Sequence, residues 1–247
     1  MNPLISIITV CFNSAKTIRQ TIESVLNQTY TNIEYILVDG KSTDNTVAII
    51  EEYAPQFAAK GIIYRWISEP DNGIYDAMNK GIKLATGEWI GIINSDDWYE
   101  LDACENISIN SSDVDVVYGL CVQYENDLGK YKITKILQNS FKEMYYNQQI
   151  IMHPAVFIHK KIYSNFLFDT KYKLASDVDF LYKVFITNYK TKLITNIISN
   201  FRHDGITFKQ KWLSVSECLN IRFKYKRLNI IYFLTYKIVY FIKFKLL

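Results

Sequence analysis

The first hundred residues of this chain alternate between apolar, strand-like runs and amphipathic, helix-like runs, and this alternation limits the possible folds more than any other feature. Residues 4–12 are almost wholly apolar and rich in β-branched side chains, which is typical of a strand buried on both faces. Similar runs follow at residues 33–38, 62–67 and 89–93. Alternation of this period requires right-handed crossovers and predicts an α/β fold with a mostly parallel sheet flanked by helices.

Three helices are predicted between these strands from the spacing of apolar residues and from end signals. The first follows the capping residues Asn13 and Ser14, and the third is expected over residues 74–84, before Gly87. The second is expected to end at Pro55, because proline lacks the backbone donor that continues a helix.

Beyond residue 101 the alternation weakens. Strands are predicted at residues 114–118, 121–124, 156–159 and 193–200, and a helix is predicted at residues 177–185, whereas residues 130–149 show no clear periodicity. The chain contains no internal repeat and no obvious Pro/Gly linker. We therefore predict one body domain over residues 1–215, followed by a tail over residues 216–247.

Charge is balanced over the whole chain but not along it. The 28 basic and 25 acidic residues argue against a dedicated nucleic-acid-binding protein. Residues 200–247 nevertheless hold 10 basic and 2 acidic residues. Aromatic and aliphatic side chains lie between these cations, and the apolar runs are too short to cross a bilayer, so the tail is predicted to lie in a membrane interface as an amphipathic helix. The alternative is a basic helix packed on the body or at a dimer contact.

Polar residues follow the predicted strands at the places where ligands bind in open α/β sheets. Asp39 comes directly after the second strand, and Asp71 stands in a tight turn after the third. Asp96 and Asp97 are adjacent after the fourth strand. Two neighbouring carboxylates repel each other, and a hard cation such as Mg²⁺ or Mn²⁺ would relieve that repulsion. A solvated turn that caps a helix is the alternative for this pair.

Four segments, taken together in order and spacing, resemble glycosyltransferase family 2: residues 10–13, 38–44, 70–81 and 94–97. The resemblance covers residues 4–100 closely and residues 150–205 more loosely. It implies a GT-A fold with a Rossmann-like central sheet, a nucleoside-diphosphate-sugar donor, one divalent metal ion (Mn²⁺ or Mg²⁺) and inversion at the anomeric carbon. Residues 1–100 would then form the nucleotide-binding half, and residues 101–215 the acceptor-binding half.

The resemblance also implies roles for individual residues. Those expected to bind the nucleotide sugar are Val10, Phe12, Asn13, Asp39, Asp71, Lys80, Asp96 and His153. Those expected to hold the metal are Asp96, Asp97 and His203. Asn94 stands where the family commonly has the first aspartate of its acidic motif. An exposed helix lysine and a structural histidine are the alternatives for Lys80 and His153.

Inverting transfer needs a base that removes the proton of the acceptor hydroxyl. In the family this carboxylate lies at the start of a helix in the second half, and residues 174–180 match that segment. The resemblance therefore makes Asp177 the expected catalytic base and Asp179 the second candidate. The alternative is that both carboxylates only stabilise a helix N-terminus through its dipole.

These expectations combine into one hypothesis: an inverting glycosyltransferase that moves a sugar from a UDP-sugar to a lipid-linked or saccharide acceptor in surface polysaccharide (O-antigen, capsule or exopolysaccharide) synthesis. The expected location is the cytoplasm, peripheral on the inner face of the cell membrane, with no nucleic-acid partner and an oligomer possible. A nucleotidyltransferase is disfavoured because residues 11–16 contain no glycine. A non-catalytic, membrane-bound scaffold of the same fold is disfavoured by the carboxylates at 96, 97 and 177.

Overall fold

The structure is a computed structural model, and it describes residues 2–127, 130–137, 139–147, 151–203, 205 and 209–225. The strands are β1 Ile5–Cys11, β2 Ile33–Asp39, β3 Ile63–Ser68, β4 Trp89–Asn94, β5 Trp98–Tyr99, β6 Val116–Asp127, β7 Lys130–Leu137, β8 Val156–His159 and β9 Thr191–Arg202. The α-helices are α1 Ile18–Leu26, α2 Thr46–Ala59, α3 Ile74–Leu84, α4 Ala103–Ile109, α5 Phe141–Asn147, α6 Lys160–Tyr163, α7 Ser176–Ile186 and α8 Lys211–Lys224, and a 3₁₀ turn spans His153–Ala155.

In the described chain these strands form one sheet in the order β3-β2-β1-β4-β8-β6-β9-β5, with β7 paired to the side of β6. The first four strands in this order are parallel, as their sequence pattern predicted. Val10 pairs with Val38 on one side and with Asn94 on the other. The C-terminal ends of β1, β2 and β4 therefore meet at one edge of the sheet, which we call the carboxyl edge.

Strands β1, β2 and β4 are largely apolar because both faces of the sheet are covered there. Ile8 and Val38 pack into one buried cluster, which includes residues of α3 and α7. Ile7 and Leu37 point the other way, into a cluster that includes residues of α1 and α2. Successive residues of a strand face opposite sides, so a strand between two helix layers has no exposed face on which to place polar residues. Burial of each such side chain stabilises the fold by about 1.5–3 kcal/mol.

The second half of the chain continues the sheet with mixed directions. β8 is antiparallel to β4, β6 is antiparallel to β8, and β9 is parallel to β6. The end of β9 then pairs with the short strand β5, where Trp98 lies opposite Asn200. This pairing returns the C-terminal end of β9 to the turn after β4, so residues far apart in sequence share the carboxyl edge.

Three local predictions need correction. α2 does not end at Pro55 but continues to Ala59, because Phe57 is fully buried and stacks on Tyr64 with ring centroids 4.4 Å apart. The two strands predicted around residue 120 are one strand, β6, whose pairing with β9 shifts register between Tyr118 and Cys121. Residues 130–149, which lack periodicity, include both β7 and α5.

Helix α8 runs across the domain boundary expected at residues 215 and 216, and it packs on the body. Glu217 accepts the backbone N–H groups of Lys173 and Leu174, each at 2.8 Å. The remainder of the predicted membrane-associating tail, residues 226–247, lies outside the described residues. In the part of the chain that is described, no helix is both long enough and apolar enough to span a bilayer.

Candidate active site

An exposed aromatic ring and a carboxylate converge on one glycine of the carboxyl edge. Phe12 follows β1 and is 61% exposed, and Asp71 lies in the loop between β3 and α3. A β-carbon built on Gly40 would stand 2.5 Å from Asp71 Oδ2 and 3.4 Å from Phe12 Cδ2, so both side chains lie directly against this backbone. The pair forms a surface with an apolar ring face beside a hydrogen-bond acceptor, which suits a flat, polar ring.

Asp39 lies beneath this surface and not on it. Its side chain is fully buried, and its two oxygens accept hydrogen bonds from Ser42 N at 2.9 Å, Ser42 Oγ, Ser68 Oγ at 2.6 Å and Cys11 Sγ at 3.7 Å. This carboxylate therefore organises the loop after β2. Its contact with a base or ribose stays a prediction, and it would require one of these hydrogen bonds to be exchanged for one to the nucleotide.

Val10 and Asn13 also stabilise the backbone at the carboxyl edge. Val10 is buried in the core cluster that contains Val38. Asn13 adopts a left-handed backbone conformation with φ 50°, which asparagine tolerates better than most residues. Its Oδ1 accepts the N–H of Thr43 at 2.9 Å, and its own N–H donates to Ser42 Oγ at 2.8 Å. Asn13 thus joins the loops after β1 and β2.

Lys80 points toward the loop that carries Asp71. Its Nζ forms an ion pair with Glu69 at 2.9 Å and donates to the carbonyl oxygen of Pro70 at 2.7 Å. The hydrogen bond to Glu69 raises the pKa of Lys80, so the ammonium group stays charged. In this structure the lysine stabilises the loop at residues 69–73.

The adjacent carboxylates after β4 have different surroundings. Asp97 is fully buried, and its two oxygens accept the backbone N–H of Arg202 at 3.0 Å and the Asn94 amide at 3.3 Å. Burial, together with the neighbouring charge of Asp96, raises the pKa of Asp97 well above its usual range. Asp96 is partly exposed instead, and its Oδ2 would lie 2.9 Å from a β-carbon at position 205. Asp97 as a metal ligand stays a prediction that would require its hydrogen bonds to be exchanged, whereas Asp96 is already partly exposed.

The surroundings of Asp96 are compatible with a divalent cation, although the described residues contain no group of three or more His, Cys, Asp or Glu side chains placed to hold one. The buried Oδ1 of Asn94 has no hydrogen-bond partner among the described residues. Mg²⁺ is often held by one or two carboxylates together with substrate phosphates, so a full protein cage is not required. One carboxylate and one amide oxygen fit this mode of binding.

The segment after β9 forms one wall beside Asp96. The Arg202 guanidinium lies 4.8 Å from the centre of the Trp98 ring and donates to the carbonyl oxygen of Asp96 and to Gln20 Oε1. His203 comes next and is partly exposed, and its backbone N–H donates to the Tyr124 carbonyl at 2.9 Å. The structure thus brings the His203 segment to the turn that contains Asp96.

Asp177 lies in the first turn of α7 and is held at both oxygens. The Tyr75 hydroxyl donates to Oδ1 at 2.7 Å, and His153 Nδ1 lies 3.4 Å from Oδ2. The Asp177 side chain is 18% exposed. Burial would raise its pKa, but the hydrogen bond and charge of His153 and the Tyr75 hydroxyl outweigh burial, so the pKa lies below its ordinary value. The carboxyl group is therefore ionised at neutral pH.

Asp179 has a different role from Asp177, although both belong to the first turn of α7. It is fully buried and pairs with Lys183 Nζ at 2.9 Å and Lys224 Nζ at 2.7 Å. The Tyr225 hydroxyl also donates to it at 3.2 Å. Two residues along a helix correspond to a rotation of about 200°, so the two carboxylates face different neighbours. Asp179 connects α7 to α8 and is not placed to act as a base.

Three residues of this region were not expected from the sequence. Tyr75 is predicted there only as part of a helix, and Arg202 carries no signal of its own beside His203. Glu217 had the clearest sequence signal of a structural role, because it is one of only 2 acidic residues in the basic segment 200–247. A rare acid within a basic segment favours a specific partner, which here is the backbone just before α7.

The sequence is similar to those of known glycosyltransferases. The family model described as "Glycosyl transferase family 2" matches residues 6–172. A PGL/p-HBAD biosynthesis glycosyltransferase of Mycobacterium bovis is 31% identical over 191 residues, which are 74% of this chain and 70% of that protein. The putative glycosyltransferase EpsH of Bacillus subtilis is 36% identical over 138 residues, which are 55% of this chain and 39% of that protein.

Solved structures show the same fold at low sequence identity. S. aureus TarS 1–349 in complex with UDP-GlcNAc has a TM-score of 0.69 and 19% identity, and the match covers 88% of this chain and 64% of that one. The mannosyltransferase PcManGT from Pyrobaculum calidifontis, in complex with GDP-Man and Mn²⁺, has a TM-score of 0.71 and 17% identity, with coverages of 93% and 66%. This chain thus spans about two thirds of each neighbour, and its mostly parallel sheet between helices is the expected GT-A fold. Because the family model matches well over half of its residues, the chain belongs to glycosyl transferase family 2.

Proposed function

We propose that this protein is an inverting glycosyltransferase that transfers a sugar from a UDP-sugar to an acceptor hydroxyl. The observation that carries the proposal is the Asp177 carboxylate, which is ionised, partly exposed and held by two side chains at the start of α7. One of these side chains, Tyr75, lies four residues after Asp71 at the carboxyl edge. The arrangement therefore supports a base next to the place where a nucleotide would bind.

On the donor side, Phe12 and Asp71 are proposed to bind the uracil ring and its neighbouring ribose. Support comes from their joint contact with Gly40 and from the exposure of the ring. Asp96, with Asn94 and His203 beside it, is proposed to hold Mn²⁺ or Mg²⁺. When bound, such an ion neutralises charge on the departing diphosphate. Lys80 is proposed to act through the loop at residues 69–73, which it stabilises.

On the acceptor side, Asp177 is proposed to receive the proton of the attacking hydroxyl. The acceptor oxygen forms a bond to the anomeric carbon while the bond from that carbon to the diphosphate oxygen breaks on the opposite face. The proton passes to the Asp177 carboxylate, and UDP leaves with the electron pair. A carboxylate with a low pKa is in the required ionised state, and the two hydrogen bonds orient it before the acceptor binds.

The proposed acceptor is lipid-linked or saccharide, within the synthesis of a surface polysaccharide such as O-antigen, capsule or exopolysaccharide. The names of the relatives, a PGL/p-HBAD biosynthesis glycosyltransferase and EpsH, support glycoconjugate synthesis as the setting. We also propose that residues 216–247 bring the enzyme to the inner face of the cell membrane. Support comes from the basic excess of residues 200–247 and from their aromatic content.

The test is UDP release and sugar transfer with a panel of UDP-sugars, with and without Mn²⁺, in the presence of membrane-derived acceptors. We expect turnover with a UDP-sugar that is lost on chelation of the metal. Turnover with a GDP-sugar alone would overturn the choice of nucleotide. Pyrophosphate release from a nucleoside triphosphate would favour a nucleotidyltransferase, and no turnover with any donor would favour a non-catalytic scaffold.

A further inference from the structure

The hydrogen bond between Tyr75 and Asp177 joins parts of the chain that are 102 residues apart. Tyr75 is buried, and its ring packs against Phe168 with centroids 5.6 Å apart. Its hydroxyl reaches Asp177 Oδ1, while His153 approaches the other oxygen. The carboxylate is therefore contacted from two sides, by α3 and by the 3₁₀ turn at His153–Ala155.

Helix α3 is firmly attached to the segment on which Tyr75 packs. The Asn79 side chain donates to the Phe168 carbonyl at 2.9 Å and accepts the Phe168 N–H at 3.0 Å. Lys173 Nζ lies 3.4 Å from the Asn72 carbonyl, which adds a contact between the two loops. Because backbone and side chain are both fixed, the Tyr75 hydroxyl has little freedom to leave Asp177.

Tyr75 also belongs to the donor side of the site. It is the second residue of α3, and the loop before this helix contains Asp71, whose Oδ1 accepts the Gly73 N–H at 2.8 Å. A change in this loop on nucleotide binding would therefore reach Tyr75 through a few bonds of a short helical turn. The same hydroxyl touches the proposed base, so one side chain connects both halves of the reaction.

We propose that Tyr75 is a positioning residue, which acts through Asp177 by fixing the orientation and ionisation of the base and by linking it to the nucleotide-side loop at residues 69–73. This inference rests on the proposed function, since it assumes that Asp177 is the base. His153 assists from the other oxygen. Neither residue is required to touch the substrate.

The contacts around Asp177 also set the pH dependence expected for transfer. The groups that face Asp177 are the Tyr75 hydroxyl on α3, the His153 ring and the Cys218 thiol on α8. Burial raises the pKa of Cys218 to about 12, so this thiol is neutral. A hydroxyl that donates to a carboxylate lowers the pKa of that carboxylate. Its removal should raise the pKa of Asp177, and the acid limb of the kcat/KM profile should then move to higher pH.

The test is Tyr75→Phe, which keeps the ring against Phe168 and removes only the hydroxyl. We expect kcat to fall by about tenfold, which corresponds to about 1.4 kcal/mol, with KM for the UDP-sugar changed less than about twofold. The acid limb of the kcat/KM profile should shift to higher pH. His153→Phe removes the other contact and should move the limb in the same direction, which keeps the inference testable if one variant folds poorly.

Tyr64→Phe is the matched control, because it removes a hydroxyl that donates to the Ile50 carbonyl at 2.8 Å. Ile50 belongs to α2, whereas Asp177 belongs to α7. It should leave kcat and the acid limb unchanged. If Tyr75→Phe matches this control, or lowers activity without moving the limb, the positioning role is refuted. If Asp177→Asn retains full transfer, the assignment of the base in the proposed function fails, and this result is distinct because it does not involve Tyr75.

Discussion

The turn after β4 and the first turn of α7 each contain two acidic residues, and in each pair one carboxylate is partly exposed while the other is fully buried. Asp96 is the exposed member after β4, and Asp177 is the exposed member in α7. Their buried neighbours, Asp97 and Asp179, connect distant parts of the chain. The partly exposed carboxylates are the ones that we propose take part in the reaction, and the buried ones connect the elements that carry them to the rest of the fold.

The two buried carboxylates are accommodated in different ways. Asp97 accepts hydrogen bonds from a backbone N–H and an amide, and its burial raises its pKa well above the usual range. Asp179 lies between the ammonium groups of Lys183 and Lys224. A buried acid needs hydrogen-bond donors or opposite charge, and Asp97 has the former whereas Asp179 has the latter. The comparison predicts that the four acids respond differently to the same substitution.

The largest effect is expected for Asp177→Asn. If this carboxylate is the base, transfer should fall by about 10²- to 10⁴-fold, because the amide cannot accept the proton. Binding of UDP should remain close to that of the wild type. Asp179→Asn is the neighbouring control, and it should lower the thermal midpoint with a far smaller effect on the transfer rate of the folded enzyme. Equal loss of transfer in both variants would break the distinction between them.

The next largest effect is expected for Asp96→Asn. Loss of the exposed carboxylate should weaken Mn²⁺-dependent UDP binding by about tenfold or more, since a hard cation binds a carboxylate more strongly than an amide. Asp97→Asn should leave that binding within about twofold of wild type, because the amide oxygen can still accept the Arg202 N–H. Isothermal titration with UDP and Mn²⁺ measures both. The reverse order of effects would show that the buried acid becomes a ligand.

A moderate effect on stability is expected for Lys224→Met. The substitution removes one of two cations from a fully buried acid, and because Lys183 remains, the free energy of unfolding should fall by about 1–3 kcal/mol. Denaturant unfolding provides the measurement. Lys211→Met, at the exposed start of α8, is the control and should change stability by less than about 0.5 kcal/mol. No difference between the two variants would remove the argument that Asp179 needs both lysines.

The smallest effect is expected for Glu217→Gln. Gln keeps one acceptor oxygen for the backbone N–H groups of Lys173 and Leu174. The loss of the second acceptor should lower the free energy of unfolding by about 1 kcal/mol. Glu51→Gln on the exposed face of α2 is the matched control and should be neutral. If Glu217→Gln leaves the free energy of unfolding unchanged, α8 does not support the segment before Asp177.

The parallel half of the fold could be predicted because its signals are local. Strands β1 and β2 are mostly apolar because both faces are buried, and α3 occupies Ile74–Leu84, the residues expected. The second half could not be predicted as well. The pairing of β9 with β5 and the contact of Tyr75 with Asp177 depend on tertiary packing between distant residues, which leaves no periodic pattern in the sequence.

The sequence indicates which residue types stand at the carboxyl edge, but not their orientation. Asp39, Asp71, Asp96 and Asp97 all follow strands, and sequence alone does not distinguish an exposed carboxylate from one turned inward. Burial depends on whether protein donors are present, as Ser42 and Ser68 are for Asp39. Ser42 is only three residues away, but Ser68 ends β3, so its effect on Asp39 becomes visible only when the two strands are paired.

The most direct test of the account is a crystal structure of this protein with UDP and Mn²⁺. The account predicts the uracil ring at Phe12 and Asp71, the metal on Asp96, and the Asp97 carboxyl still bound to the Arg202 N–H, with Asp177 facing the β-phosphate side of the site. A metal held by Asp97 with Arg202 displaced, or UDP bound away from the carboxyl edge, would contradict it.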